Sequence, residues 1–416
     1  MALLATTIRN FLLTLALVAL LGAPASAADF SMKRGINLDI WTTWPDETKW
    51  GEEAAILPFP EWRKSLRESD LIALKDAGFD FARIPVDPSP FLSDTTLGFR
   101  DKLFASILES VRLVNQAGLK AVVDMHLFPA GDNRAVDMTA VMNDPAVFDG
   151  YVDFIRVMAR TLSKEDPSLV AFELMNEPVL DCEEDGANLW PERLKRLYAA
   201  ARSSATRLTL VLSGACWAGA EGLAKIDPKD FPNGNIIWTF HSYSPFLLTT
   251  QGATWAGDFI RYVTGLPYPP YAVPRAELDA ALEKVRKTIE AEAPWSRRSG
   301  MLAYLDEQIA LMDTEEELSA IMDEPFDTVA KWASEHDVKP ENIFLGEFGM
   351  IRQEWENPFV MPAASRAAYA RDMIARAEKH GFAWALWSYG GAFGIVEEFE
   401  GRKAEPDVME MVRTLD

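Results

Sequence analysis

Residues 171–180, AFELMNEPVL, open apolar and then place Asn176, Glu177 and Pro178 side by side. Ala171, Phe172, Leu174 and Met175 have the character of a buried strand. Asn and Glu are depleted from strand interiors, and proline cannot donate to a central ladder. The strand therefore ends at about this point, with an amide and a carboxylate at its tip. A carboxylate placed there is either neutralised by partners or kept for chemistry. Glu173 alternates away from Leu174 and fits a structural, charge-paired carboxylate.

Working outward, the same kind of run recurs. Short apolar stretches lie at 33–39, 79–86, 118–126, 169–177, 207–214, 235–243, 342–349 and 382–389. Most gaps have helical spacing: Leu66, Leu71 and Leu74 precede the second run, and Ile107, Val111 and Val114 the third. Val152, Ile155 and Ala159 precede the fourth, and Leu194, Leu197 and Ala201 the fifth. Glycines such as Gly78, Gly118 and Gly381 stand where left-handed helix caps belong. Strands that are apolar throughout, alternating with helices, imply a parallel sheet covered on both faces. Eight such units predict a (β/α)8 TIM barrel; the competing doubly wound sheet lacks a glycine-rich phosphate loop after its first strand.

One gap is too long. Residues 245–324 read as a helical insertion after the sixth strand, with stripes Leu278, Leu282, Val285, Ile289 and Leu302, Leu305, Ile309, Met312. Thr314 and Glu317 have the form of a capping box, and the barrel's own helix is expected to start near Pro325. The insertion leaves the rim beside the strand tips, so Tyr262, Tyr268 or Tyr271 is expected to reach the substrate.

At the other end of the chain, residues 1–27 have the pattern of a signal peptide: Arg9, an apolar core, then Ala25-Ser26-Ala27. Export to the periplasm or beyond follows, with residues 28–416 as one catalytic domain. A formal charge of −22 is a poor match for nucleic acid or an anionic membrane surface. Cys182 and Cys216, the sole cysteines, follow neighbouring strands of the expected barrel and are expected to form a disulfide.

Barrel enzymes build their sites at the C-terminal strand ends. Those ends carry Arg83, His126, Asn176 with Glu177, His241 with Tyr243, Glu347 and Trp387. Two carboxylates, Glu177 and Glu347, then share one cavity. Such pairs perform glycoside hydrolysis, one as acid and the other as nucleophile or base. A two-carboxylate metal site is the alternative, but no DxD or HxH occurs at the tips, and no metal or cofactor is expected. Among the 13 tryptophans, Trp41, Trp44, Trp217 and Trp387 fall near strand ends, where flat faces suit sugar rings.

Taken together, LMNEP, LGEFG, ARIPV, VVDMH, TFHSY and ALWSY make the chain resemble glycoside hydrolase family 5, the cellulase family, from Lys33 to Tyr389. The resemblance implies a retaining (β/α)8 glycosidase with Glu177 as acid/base and Glu347 as nucleophile. It implies substrate contacts from Arg83, His126, Asn176, His241, Tyr243 and Trp387. Glu347 is expected to stay ionised beside Arg83 and Tyr243, with the two carboxyl groups about 5 Å apart. The implied substrate is a β-linked glucan, cut by an endo-β-1,4-glucanase acting as a monomer on soluble or exported polysaccharide. The family's shared motifs leave β-mannan and other β-glucans open. A barrel that binds polysaccharide without turnover is the reading from a different class, and the intact glutamate pair speaks against it.

Overall fold

The computed structural model describes residues 30–415 apart from 40, 42–43, 58–65, 128–135, 181–183, 233 and 356. The signal segment 1–27 and Cys182 lie outside the described residues. Cys216 is disulfide-bonded, and the described residues include no free cysteine.

All eight apolar runs contain a strand: β1 (Arg34–Asn37), β2 (Phe81–Val86), β3 (Lys120–Met125), β4 (Val170–Glu173), β5 (Thr209–Ser213), β6 (Ile236–His241), β7 (Ile343–Phe348) and β8 (Ala383–Leu386). They pair in chain order and close, β1 against β8, into one parallel barrel. Nearly every strand residue is buried, as expected of a sheet filled from inside and covered by helices outside. Phe81, Val122, Ala171, Val211, Ile237, Phe344 and Ala383 plug the bottom of the barrel as a separate cluster. The site lies at the opposite end, where the strands carry Arg83, Glu173, His241 and Glu347.

The helices follow the expected stripes. Arg100–Gln116 buries Ile107, Val111 and Val114, and Pro145–Leu162 buries Val152, Ile155 and Ala159. Gly381 caps Ala363–His380 in the left-handed region, at φ 75°.

The stretch between β6 and β7 is helical, with three differences from expectation. Helix Arg275–Glu292 buries the four residues foreseen, but Arg298–Ala310 buries Met301 with Leu305 and Ile309, while Leu302 is only half-buried. Thr314 and Glu317 do cap a helix, yet it runs unbroken from Glu315 to Glu335 through Pro325. Its buried face, Leu318, Met322, Phe326, Val329 and Trp332, is continuous across the proline, so packing carries the helix past the missing N–H. Tyr268 turns away from the strand tips. Tyr268 is buried and donates to Asp372 Oδ2 at 2.6 Å on the outer helix Ala363–His380. Tyr271 and Tyr262 pack, partly buried, on the core. Aromatic residues in a proline-rich stretch served to anchor the segment to the barrel wall.

Candidate active site

The site is organised by Arg83, which stands in mid-strand on β2 with no solvent exposure. Register puts Asn37 of β1 and Val122 of β3 directly beside it. All five of its N–H groups are used. Nε and Nη2 hold Glu173 in a fork at 2.7 and 3.0 Å. Nη1 donates to Asn37 Oδ1 at 2.9 Å and to Glu347 Oε1 at 2.7 Å. Nη2 also donates to Asn176 Oδ1 at 2.6 Å. A planar, always-charged fork is what such a buried cluster needs, and lysine could not replace it. Asp124 Oδ2 lies 3.1 Å from Nη2, close enough for charge pairing.

Glu347 is the penultimate residue of β7, and its carboxylate is fixed at both oxygens. Arg83 holds Oε1, and the Tyr243 hydroxyl donates to Oε2 at 2.9 Å. Glu177 lies beyond the end of β4, its side chain 27% exposed against 5% for Glu347. It has one close partner, His241 Nδ1, 2.8 Å from Oε1. The same nitrogen is 3.7 Å from Glu347 Oε2. Facing oxygens of the two glutamates and His241 Nδ1 all fall within 4.8 Å of one another. These three are also the described side chains close enough together to hold a metal ion; each already has its partner within the cluster.

The electrostatics separate the two acids. Burial pushes Glu177 up to about 7, with His126 and Arg83 pulling the other way. Burial also raises Glu347 above its ordinary value. Arg83 and Tyr243, expected to keep it ionised, act against that burial from its two oxygens. Their hydrogen bonds favour the carboxylate but offset burial only in part. Glu347 has two donors in contact, Arg83 and Tyr243, and both favour its charged form. Burial lowers His241 to about 4, leaving the ring neutral at neutral pH.

His126 and Trp387 line one wall, their rings stacked at 5.4 Å and 12°. His126 Nδ1 is 2.8 Å from Asp124 Oδ2, and burial raises that carboxyl to about 7. Each site residue expected from the sequence therefore reaches one cluster. Asn37 and Asp124 were missed. Asp124 sits two residues before His126, so period-2 alternation in VVDMH could have found it.

The tryptophans divide. Trp41 and Trp44 are core rather than sugar platforms: Trp44 Nε1 donates to Asp87 O at 2.8 Å and its ring packs edge-on against Phe91. Trp217 is 47% exposed. It stands in a left-handed turn after β5 (φ 52°), and its N–H bonds Pro178 O at 3.3 Å, next to Glu177.

A parallel eight-stranded barrel with two facing glutamates and an arginine-centred polar cluster at the strand ends defines a barrel glycosidase. The family model of cellulase (glycosyl hydrolase family 5) matches residues 47–393, and the chain belongs to that family of O-glycosyl hydrolases. Endoglucanase 3 of Fibrobacter succinogenes is 25% identical over 343 residues, 80% of this chain and 47% of that protein, so the chain spans about half of that relative's length. Endoglucanase C of Acetivibrio thermocellus is 23% identical over 360 residues, 86% of this chain and 91% of its own. Among solved structures, the cellulose synthase subunit Z of Clostridioides difficile superposes with a TM-score of 0.64 at 24% identity, covering 92% of this chain and 99% of that one. Thermotoga maritima Cel5A with cellobiose gives a TM-score of 0.61 at 20% identity, covering 92% and 97%.

Proposed function

We propose that the protein is a retaining endo-β-1,4-glucanase acting on soluble or exported polysaccharide. The observation that carries the reading is the spacing of Glu177 and Glu347, whose facing oxygens lie within 4.8 Å. Double displacement needs carboxyl groups about 5 Å apart, whereas inversion needs room for a water between them. Glu347, clamped by Arg83 and Tyr243, attacks the anomeric carbon. Glu177, protonated up to about pH 7, gives its proton to the departing oxygen. As a carboxylate it then takes a proton from the water that opens the glycosyl-enzyme ester.

Around this pair, Asn176 has its carbonyl taken by Arg83, which leaves Nδ2 to meet the 2-hydroxyl of the reacting sugar. His126 and Trp387 form the wall against which that sugar lies. The leaving sugar sits on the Glu177 side, beside the exposed ring of Trp217. The curated relatives named above as endoglucanases support a β-1,4-glucan as the polymer. Thermotoga maritima Cel5A has also been solved with mannotriose, with a TM-score of 0.62, which keeps β-mannan as the second reading. Reducing ends released from carboxymethyl-cellulose, barley β-glucan and mannan decide between them. Release from the β-1,4-glucans above that from mannan is expected; the opposite order would replace the substrate assignment.

The segment after β6 carries the aromatic wall of the cleft on Trp255 rather than on its tyrosines. Trp255 is 60% exposed, and its ring lies 6.4 Å from Phe393. Phe393 in turn lies 5.8 Å from Tyr243, the donor to Glu347. Glu354 binds this turn to the β7 loop by accepting from Thr254 N at 3.0 Å. Replacing Trp255 with alanine is expected to raise KM for cello-oligosaccharides about tenfold, the loss of one aromatic contact of about 1–1.5 kcal/mol. Turnover of a short activated glycoside should hardly change, and kinetics on a chain-length series would show whether it does.

Export completes the reading. It rests on the apolar segment and the Ala25-Ser26-Ala27 site of the sequence. Among the described residues, no helix is long and apolar enough to cross a membrane.

A further inference from the structure

Asp124 of β3 and Glu173 of β4 are register partners, both fully buried and both charge-paired with Arg83. They use that arginine differently. Glu173 gives it both oxygens in a fork, the arrangement of a structural ion pair. Asp124 gives it one. Its Oδ2 lies 3.1 Å from Arg83 Nη2 and 2.8 Å from His126 Nδ1, while Oδ1 is buried with no hydrogen-bond partner among the described residues. A carboxyl kept for stability alone would not leave an oxygen bare at that depth. What Oδ2 joins is two parts of the site. On one side, Arg83 Nη1 donates to Glu347 Oε1 at 2.7 Å. On the other, the His126 ring lies 5.4 Å from Trp387 and 12° from parallel. His126 stands just past the end of β3, where its main-chain N–H donates to Val86 O at 2.8 Å. That bond fixes its backbone and leaves the ring its side-chain torsions.

We infer that Asp124 is a positioning residue: it ties the His126 ring to Arg83 and so fixes where the His126–Trp387 wall stands relative to the carboxylate of Glu347. This rests on the reaction proposed above, in which the reacting sugar lies against that wall and Glu347 attacks it. Glu347, Arg83, Asp124, His126 and Trp387 then form one continuous chain of contacts. Attack needs the reacting atoms held about 3–3.5 Å apart and aligned, so a wall free to shift would carry the anomeric carbon out of line. The charges also give the direction of the bond. Arg83 Nη2 faces Oδ2, which therefore serves as an acceptor, and His126 Nδ1 carries the hydrogen. Burial lowers His126 below its ordinary value, so above neutral pH the ring is uncharged and has a single hydrogen to place. The charged and titratable groups facing Asp124 are Arg83, Glu173, Glu177, Tyr151 and His126.

Asp124→Ala should lower kcat/KM on dinitrophenyl β-cellobioside about 10–100-fold, the scale of a small misplacement of the reacting atoms. Asp124→Asn should lose only a few-fold, because Arg83 keeps the amide oxygen on its side, where it still accepts from Nδ1. In a His126→Ala background, Asp124→Ala should add less than about twofold, since the ring through which it acts is gone. Equal losses in the two Asp124 variants would overturn the inference, because charge rather than the hold on His126 would then be what counts. Full additivity with His126→Ala would overturn it as well, since a merely structural carboxyl acts independently of the ring. A measurement on the wild type decides the matter even if Asp124→Ala fails to fold. In uniformly 15N-labelled protein well above pH 7, Asp124 is a carboxylate and can only accept. Long-range 1H–15N correlation of His126, assigned by loss of its signals in His126→Gln, should then show the Nδ1–H pattern. An Nε2–H pattern overturns the inference. If the wild type cleaves neither the dinitrophenyl glycoside nor barley β-glucan, the hydrolase reading fails instead, and the tautomer still decides whether Asp124 holds His126.

Discussion

Replacing Glu347 with alanine is expected to abolish turnover on every substrate, activated or not. Its carboxylate is the group held at both oxygens, by Arg83 Nη1 at 2.7 Å and Tyr243 at 2.9 Å, and no neighbouring group can take its place in attack. Loss of a nucleophile in other hydrolases costs on the order of 10⁶ in kcat. The variant should still fold, since Arg83 keeps Glu173, Asn37 and Asn176. Initial rates on dinitrophenyl β-cellobioside, with circular dichroism as the folding control, provide the check. Residual activity within about a hundredfold of the wild type would assign the nucleophile elsewhere.

Replacing Glu177 with alanine should fail in a different way. Without the general acid, kcat/KM on polysaccharide should fall by about 10²–10⁴. The first step on a dinitrophenyl glycoside should be nearly spared, so a burst of released phenol should persist. The pH profile gives a second signature, and its sign follows from the electrostatics. Burial raises Glu177 to about 7, so its required protonated form is present below that pH and is lost above it. Wild-type kcat/KM on polysaccharide should therefore decline as pH rises through about 7. Its acid limb follows protonation of Glu347, above the ordinary carboxylate range. In Glu177→Ala the basic limb should disappear. If both alanine variants lose dinitrophenol release equally, the two roles have been assigned wrongly.

The glutamate pair was legible in the sequence because two different constraints meet at it. Glu177 and Glu347 interrupt apolar runs at points where a strand cannot continue or cannot bury a charge without a partner. In a barrel those points all lie on one rim. Inward and outward directions were much less legible. Trp44 and Trp217 both follow strand ends, but the first ring is packed against Phe91 and the second is half exposed. Adjacency to a strand tip does not say which way a loop turns. The same limit misled the reading of Tyr268, whose hydroxyl reaches Asp372 on an outer helix about a hundred residues later in the chain. A tertiary partner so distant leaves no local pattern. Asp124 was missed for a further reason. In strands buried on both faces, apolar alternation vanishes, and only the spacing of polar residues from His126 and His241 marks the barrel interior.

The separation of the glutamates carries the whole account, and the stereochemistry of the first product tests it most directly. Proton NMR of the anomeric region, recorded within minutes of adding enzyme to cellopentaose, reads the configuration before mutarotation blurs it. Attack by Glu347 followed by attack of water inverts the centre twice, so the β-anomer should appear first and the α-anomer only later. An α-anomer formed first would mean a single displacement by water, and would contradict the assignment of Glu347 as nucleophile.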